Sequence, residues 1–125
     1  MGESNEVKII VYGTLMRGES NHHFCQNAIS IIPCTIHGQL FDTGYGYPAF
    51  VPDGVMSVAA ELITLPIEDW SRIDSLEGYP YLYNRKEIEA TLNDGTSVTG
   101  WVYIMNNLPP YATKISSGSW KNRDY

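Results

Sequence analysis

Apolar side chains recur along this chain with two spacings, and each spacing predicts one kind of element. A β-branched run at residues 7–11 predicts a buried strand. Alternating apolar positions predict strands at residues 34–41 and 86–92, an apolar run predicts one at 55–64, and a short extended piece is expected at 49–51. A further strand is predicted at 97–105, where both faces are apolar or aromatic, so that it is central or lines a barrel. Over residues 67–76 the apolar side chains instead recur every three residues, which predicts the firmest helix of the chain.

Glycine and proline predict where several of these elements begin and end. Pro33 is expected at the start of the second strand, and Pro66 suits the first turn of the helix. Gly78 supplies a stop for that helix. The triplet Pro-Asp-Gly at 52–54 predicts a tight turn, and Asn-Asp-Gly at 93–95 predicts a hairpin.

Two further segments complete the predicted architecture. A weaker helix is expected from Ser20 or Asn21 to about Ala28, where either polar residue would cap it. The tail, residues 111–125, is expected to be irregular and to fold over the mouth of a pocket. About six short strands with few helices indicate the α+β class. We therefore predict a small mixed β-barrel of about six strands with one firm and one or two short flanking helices, in a single domain spanning residues 1–125.

Charge and composition narrow the range of partners. The formal net charge is −6, with only eight Lys and Arg residues scattered along the chain. That balance argues against nucleic acid, because phosphates require clustered cations, and against an anionic membrane surface. No apolar run approaches the length of a membrane span, and the first residues carry no signal-peptide core. We therefore expect a cytoplasmic protein, in which Cys25 and Cys34 are free thiols.

The predicted first strand breaks directly into a glycine-containing loop. Tyr12 ends the β-branched run, and Gly13, Thr14 and Leu15 follow it. Backbone N–H groups at such a strand end can converge on one point and act as a partial positive charge, which suits an anion. The same residues also fit an ordinary turn from strand to loop, so both interpretations stand at this point.

Glu77 is the acidic residue best placed for proton transfer. It follows Leu76 on the apolar stripe of the predicted helix and precedes Gly78. Burial and the negative end of the helix dipole both disfavour a carboxylate, so its pKa is expected to rise above the usual value of about 4.3. A carboxyl group tuned in this way can exchange protons near neutral pH. The alternative is a solvated surface glutamate that merely precedes a capping glycine.

His22, His23 and Cys25 form a cluster of potential metal ligands. Adjacent histidines on a helix point about 100° apart, so they do not readily share one ion. No second ligand group stands at a zinc-like spacing, and we therefore expect surface or packing roles for these residues and no metal site. Serine-hydrolase and nucleotide-binding motifs are also missing from the sequence.

Nine short segments resemble, in the same order, those of the gamma-glutamylcyclotransferase family. They are 11–15 (VYGTL), 17–18 (RG), 20–22 (SNH), 40–42 (LFD), 47–49 (YPA), 73–79 (IDSLEGY), 83–85 (YNR), 101–103 (WVY) and 117–120 (SGSW). The resemblance covers nearly the whole chain, and the spacing is most similar to the small branch that acts on gamma-glutamylamines. The sequence departs from the family pattern at Gly118-Ser119-Trp120. In the family an acidic residue commonly precedes this tryptophan, so the departure affects the expected contacts of the tail and not the chemistry.

The resemblance implies both an architecture and a reaction. It implies a compact mixed β-barrel with a pocket at one end, a small-molecule gamma-glutamyl substrate, and no metal or organic cofactor. The substrate's own α-amine would attack its γ-carbonyl and release 5-oxoproline and a free amine, so no protein nucleophile is required. A protein that keeps the pocket without turnover, and binds a gamma-glutamyl or other small carboxylate ligand, is the alternative. The oligomeric state and the leaving amine stay open.

The resemblance also implies roles for seven residues. Glu77 would be the catalytic acid and base. The loop Tyr12, Gly13, Thr14 and Leu15 would bind the glutamyl part of the substrate. Tyr83 and Tyr103 are further candidates for substrate binding, with aromatic packing as their alternative role.

Overall fold

The computed structural model describes residues 5–123. Its strands are β1 (Glu6–Val11), β2 (Ser30–Asp42), β3 (Pro48–Pro66), β4 (Tyr83–Leu92), β5 (Ser97–Met105) and β6 (Thr113–Lys114). Within these residues one α-helix, α1, spans Trp70–Glu77, and two short 3-10 helices cover His22–Cys25 and Ile67–Asp69. No helix in residues 5–123 has both the length and the apolar character required to cross a bilayer.

Five of these strands close into a barrel. Hydrogen bonding follows the order β3-β1-β5-β4-β2, and β2 then pairs with β3 to close the ring. β1 runs parallel to β5, while the other pairs are antiparallel, so the barrel is mixed. β6 lies outside the ring and pairs with the end of β2. The predicted α+β class and small mixed barrel are therefore confirmed.

The alternating residues of the strands fill the barrel as their pattern predicts. On β2, Cys34, Ile36 and Leu40 are buried, while His37 between them is exposed. β5 lies between β1 and β4, as expected for a central strand. Gly100 and Val102 are buried on one of its faces and Tyr103 and Met105 on the other, while the start of the strand is more exposed. The hairpin predicted at residues 93–95 joins β4 to β5.

β3 is longer than the sequence predicts, because residues 52–54 do not form a chain-reversing turn. Gly38 pairs with Met56 and Gln39 with Val51, so the pairing of β2 with β3 resumes on both sides of the interruption. The intervening residues form a bulge in one continuous strand. β2 likewise begins before Pro33, at Ser30.

The two predicted helices differ in how well they match the structure. Gly78 ends α1 with a left-handed φ of 66°, and the N–H of Tyr79 donates to the carbonyl of Asp74 at 2.9 Å. The stop predicted there is confirmed. The weaker helix expected over residues 20–28 is reduced to the single 3-10 turn His22–Cys25.

The tail packs on the barrel wall. Ile115 N donates to Leu40 O, and Ala59 N donates to Gly118 O, each at 2.8 Å. These contacts accompany the burial of Ile115 and Trp120. Residues 112–123 of the predicted tail therefore cover part of β2 and β3 and do not line the cavity described next, which differs from the expectation of a tail folded over a pocket mouth. Tyr111, the first residue of the tail, approaches the cavity through Tyr45, and residues 124–125 lie outside those described.

Candidate functional site

A cavity of about 230 Å³ opens between the loop after β1, the C-terminal end of α1 and the inner residues of β4 and β5. It is lined by Ile10, Val11, Tyr12, Gly13, Thr14, Leu15, Asn21, Tyr47, Pro48, Leu76, Glu77, Leu82, Tyr83 and Tyr103. All seven residues singled out in the sequence are among them. Among residues 5–123, Glu77 carries the only carboxyl group of this lining, and no Lys or Arg side chain contributes to it.

The loop after β1 is held in shape by its own hydrogen bonds. The carbonyl of Gly13 accepts from Met16 N at 3.1 Å, and the carbonyl of Thr14 accepts from Asn21 N at 2.8 Å. Asn21 Nδ2 also donates to Thr14 Oγ1 at 3.0 Å. The sequence predicts Asn21 as a candidate helix cap and as part of the resembling segment 20–22, without a site role, and the structure places it in the cavity wall.

Gly13 is required by a close approach. A Cβ atom at this position would lie 2.6 Å from Cδ and Cγ of Pro48, well inside van der Waals contact. The Tyr-Gly-Thr-Leu loop can therefore lie against Pro48 only because residue 13 has no side chain. This contact joins the loop to the start of β3 across the cavity wall.

Three tyrosines brace the cavity through hydroxyl groups that already have protein acceptors. Tyr12 OH donates to the carbonyl of Tyr103, and Tyr83 OH donates to the carbonyl of Pro48, both at 2.7 Å. Tyr103 OH donates to Asp74 Oδ1 at 2.6 Å. Burial, above all, raises the pKa of each of these phenols, so they remain protonated donors. A ligand would meet their rings more directly than their hydroxyl groups.

Glu77 is positioned by the end of α1 and faces the cavity. Burial of its carboxyl group, with a further contribution from the negative charge of Asp74, raises its pKa from 4.5 to about 7. Within residues 5–123 no group donates a hydrogen bond to this carboxylate, so its oxygens are available to a bound molecule. The side chain can therefore accept and return a proton near neutral pH.

Asp74 and Arg85 form a charged pair behind Glu77 that the sequence analysis did not identify. Arg85 Nη1 lies 2.9 Å from Asp74 Oδ1 and 2.7 Å from Oδ2. The guanidinium carbon lies 3.9 Å from the ring centre of Trp70 and 4.2 Å from that of Tyr79, within cation–π distance. Asp74 stands three residues before Glu77 in the helix, about one turn, and this spacing is the signal that could have identified it as a neighbour of Glu77.

The histidine and cysteine cluster lies outside the cavity lining. His22 Nδ1 donates to the carbonyl of Leu15 at 2.9 Å, which helps to hold the loop. Cys25 is buried, and burial raises the pKa of its thiol to about 11, so it stays protonated. Among residues 5–123 no three His, Cys, Asp or Glu side chains lie close enough together to hold a metal ion.

Comparison with known proteins places these features in a family context. Residues 9–122 match the family model described as gamma-glutamyl cyclotransferase, AIG2-like. The chain is 35% identical over 120 residues to the gamma-L-glutamyl-butirosin B gamma-glutamyl cyclotransferase of Niallia circulans, covering 90% of this chain and 74% of that protein. It is 32% identical over 117 residues to a putative gamma-glutamylcyclotransferase of Vibrio cholerae, covering 92% and 96%.

The fold has a close counterpart among solved structures. The crystal structure of an AIG2-like protein from Mus musculus aligns with a TM-score of 0.74 at 20% identity, covering 98% of this chain and 86% of that one. At this identity the similarity concerns the fold. It shows that the five-stranded barrel with its outer strand is an architecture shared with AIG2-like proteins.

Proposed function

The chain belongs to the gamma-glutamyl cyclotransferase, AIG2-like family, and from this premise we propose that it converts a gamma-glutamyl amine or gamma-glutamyl amino acid into 5-oxoproline and a free amine. Family membership supports cyclotransferase activity in general. The identity of the substrate and the role of Glu77 as general base and acid are the proposal.

One observation carries this proposal. The carboxyl group of Glu77, with a pKa near neutral pH, shares a cavity with the loop of Tyr12, Gly13, Thr14 and Leu15, although about sixty residues separate them in the chain. A proton-transfer group and the residues whose backbone N–H groups are the candidate donors thus line the same small volume. Intramolecular ring closure requires both, together with walls that hold the substrate folded.

The reaction can be written with protein groups that need no covalent intermediate. Glu77 takes a proton from the α-amine, whose nitrogen forms a bond to the γ-carbonyl carbon. The bond from that carbon to the leaving nitrogen then breaks, and Glu77 returns the proton to the leaving amine. The backbone N–H groups of Gly13, Thr14 and Leu15 are the candidate donors to the α-carboxylate or to the oxyanion that develops.

The leaving group is proposed to be an amine that lacks a carboxylate. In the part of the chain that the structure describes, the cavity lining contains no Lys or Arg side chain that could pair with the carboxylate of a leaving amino acid. Desolvating that carboxylate beside the ionised Glu77 would cost free energy without compensation. This favours gamma-glutamylamines over gamma-glutamyl amino acids.

The test is 5-oxoproline release from a panel of synthetic gamma-glutamyl amines and gamma-glutamyl amino acids, measured by chromatography. We expect Glu77→Gln to lower turnover by about 100-fold or more, because general acid–base catalysis contributes about that much. Glu68→Gln removes an exposed carboxyl group from the turn before α1 and serves as the matched control, with activity unchanged.

Two results of the same experiment would contradict the proposal. Absence of 5-oxoproline with every compound, or full activity of Glu77→Gln, would refute it. A thermal shift on adding a gamma-glutamyl compound that is never consumed would instead support a non-catalytic protein that binds gamma-glutamyl or other small carboxylate ligands.

A further inference from the structure

Four tyrosine rings form a continuous row from the cavity to the surface, which we term the tyrosine row: Tyr83, Tyr47, Tyr45 and Tyr111. Successive ring centres are 6.3, 6.0 and 6.1 Å apart. Tyr83 and Tyr47 line the cavity, while Tyr45 and Tyr111 lie beyond it. The row therefore extends the cavity wall outward, past the point where the reaction is proposed to take place.

The outer half of the row is exposed. Tyr45 is 57% and Tyr111 59% accessible, although each carries a large apolar ring. Their rings meet edge to face at 85°, and Tyr111 OH donates a hydrogen bond to Tyr45 OH. Two aromatic side chains thus hold each other in one arrangement while leaving ring surface open to solvent.

The loop that carries Tyr45 is held in place from below. Thr43 is fully buried, and its Oγ1 donates to the carbonyl of Tyr47 at 2.6 Å while accepting from Tyr45 N at 3.2 Å. Gly44 N donates to Asp42 Oδ1 at 2.9 Å. The exposed rings therefore sit on a segment with defined hydrogen bonds, so part of the entropy cost of ordering a binding surface is already met.

The chemistry of the row indicates what it would bind. Aromatic rings prefer partners whose ring centres lie about 4.5 to 7 Å away, in offset or edge-to-face contact, which is the spacing already present within the row. Within residues 5–123 no Lys or Arg side chain lines the adjoining cavity, so a second anionic group, beyond the α-carboxylate assigned to the loop at residues 12–15, would have no cationic partner there. The exposed tyrosine rings therefore suit a ligand that carries a flat, uncharged ring.

The tyrosine row runs outward from the cavity wall, which is the direction that we assign to the leaving group of the substrate. In the proposed reaction the glutamyl part lies against the loop at residues 12–15, and the scissile nitrogen lies near Glu77. Among the residues that line the cavity, Leu82 is exposed and Tyr47 is half-buried. Tyr47 contacts the exposed Tyr45, so a substrate that extends past Tyr47 would reach the outer rings.

We propose that Tyr47, Tyr45 and Tyr111 form the subsite for the leaving amine and that they select amines carrying an aromatic ring and no carboxylate. This specificity rests on the proposed cyclotransferase function. It assigns a role to the Gly-Tyr-Gly loop at residues 44–46, which the reaction itself does not use.

The test compares four synthetic substrates: gamma-glutamyl-benzylamine, gamma-glutamyl-cyclohexylmethylamine, gamma-glutamyl-phenylalanine and gamma-glutamyl-methylamine. The wild-type protein is expected to have its highest kcat/KM with the benzylamide. In the double variant Tyr45→Ala/Tyr111→Ala, kcat/KM for the benzylamide should fall about tenfold, since two ring contacts are lost, while that for the methylamide stays within about twofold.

Two further variants serve as matched controls. Tyr45→Phe/Tyr111→Phe keeps the rings and loses only the hydroxyl contact, so it should retain the aromatic preference. Tyr81→Ala removes a tyrosine that is 87% accessible and lies outside the row, and it should leave the preference unchanged. Equal kcat/KM for benzylamide and cyclohexylmethylamide in the wild type, or an equal loss for all four substrates in the alanine double variant, would overturn the proposed subsite.

A binding measurement separates failure of the subsite from failure of the reaction. Dissociation constants for the benzylamide and methylamide are measured by calorimetry on Glu77→Gln, alone and combined with the alanine double variant. If no substrate yields 5-oxoproline in the wild type, the proposed function fails. The aromatic subsite is then supported by about tenfold tighter binding of the benzylamide that the double variant abolishes, and is overturned by equal dissociation constants.

Discussion

Glu77→Gln should make the protein more stable at alkaline pH while it removes the proposed activity. The pKa of this carboxyl group rises from 4.5 to about 7 on folding, mainly because it is buried. Between these two pH values the folded protein binds more protons than the unfolded chain, so the free energy of unfolding falls as the pH rises. Below this window the carboxyl group is protonated in both states and no penalty remains.

The magnitude follows from the same pKa values. One pKa unit corresponds to about 1.36 kcal/mol, so ionised Glu77 would destabilise the folded state by about 3 kcal/mol if the cavity were closed to water. The cavity is open on one side, and screening by solvent reduces this to about 2 kcal/mol. Glutamine has nearly the same shape without the charge, and it should recover most of that free energy above pH 7.

The assay is urea unfolding of wild type and Glu77→Gln at about pH 4.5 and about pH 8.5. We expect similar stability at the lower pH and an advantage of about 2 kcal/mol for the variant at the higher one, equivalent to about 8 °C in Tm. Glu68→Gln, at an exposed site, controls for the loss of one carboxyl group from the same region. An advantage that is independent of pH, or a variant less stable than wild type at the higher pH, would refute the reasoning.

Three further substitutions test the surroundings of Glu77. Asp74→Asn removes the charge that helps to raise the pKa of Glu77, so the acid limb of the pH profile of kcat/KM should move to lower pH; an unchanged limb would contradict this. Gly13→Ala places a Cβ 2.6 Å from Pro48, and kcat/KM should fall about 10- to 100-fold as the loop shifts; wild-type kinetics would show that the close approach is unimportant. Arg85→Met leaves Asp74 with the hydroxyl group of Tyr103 but without its cationic partner, and should lower the free energy of unfolding by about 2 to 3 kcal/mol, measured in urea. An unchanged midpoint would mean that the ion pair is energetically neutral.

The local elements were predictable because their causes are local. The β-branched run of β1, the alternation of β2 and the doubly apolar β5 each report burial directly through side-chain spacing. Gly78 likewise ends α1 through its own left-handed conformation, which needs no distant partner. These elements, together with the resemblance of short segments, were enough to predict the barrel.

The interruption of β3 depended on a distant strand. Residues 52–54 carry the composition of a chain-reversing turn, but β2 supplies hydrogen-bond partners on both sides of them. Pairing over the rest of a long strand outweighs the preference of three residues, so the turn becomes a bulge. Nothing within residues 52–54 distinguishes these two outcomes.

The cavity shows the same division between local and distant causes. From the amino-acid order alone, Glu77 could be recognised as a carboxyl group beside an apolar stripe, with a raised pKa, and Tyr12 to Leu15 as a loop with N–H groups at a strand end. Their meeting in one cavity depended on the tertiary fold, because the loop follows β1 and Glu77 ends α1, and no local pattern connects these two elements. Tertiary structure also decided that Arg85 neutralises Asp74 behind Glu77, since that pair joins β4 to α1 through side chains that no periodic pattern connects.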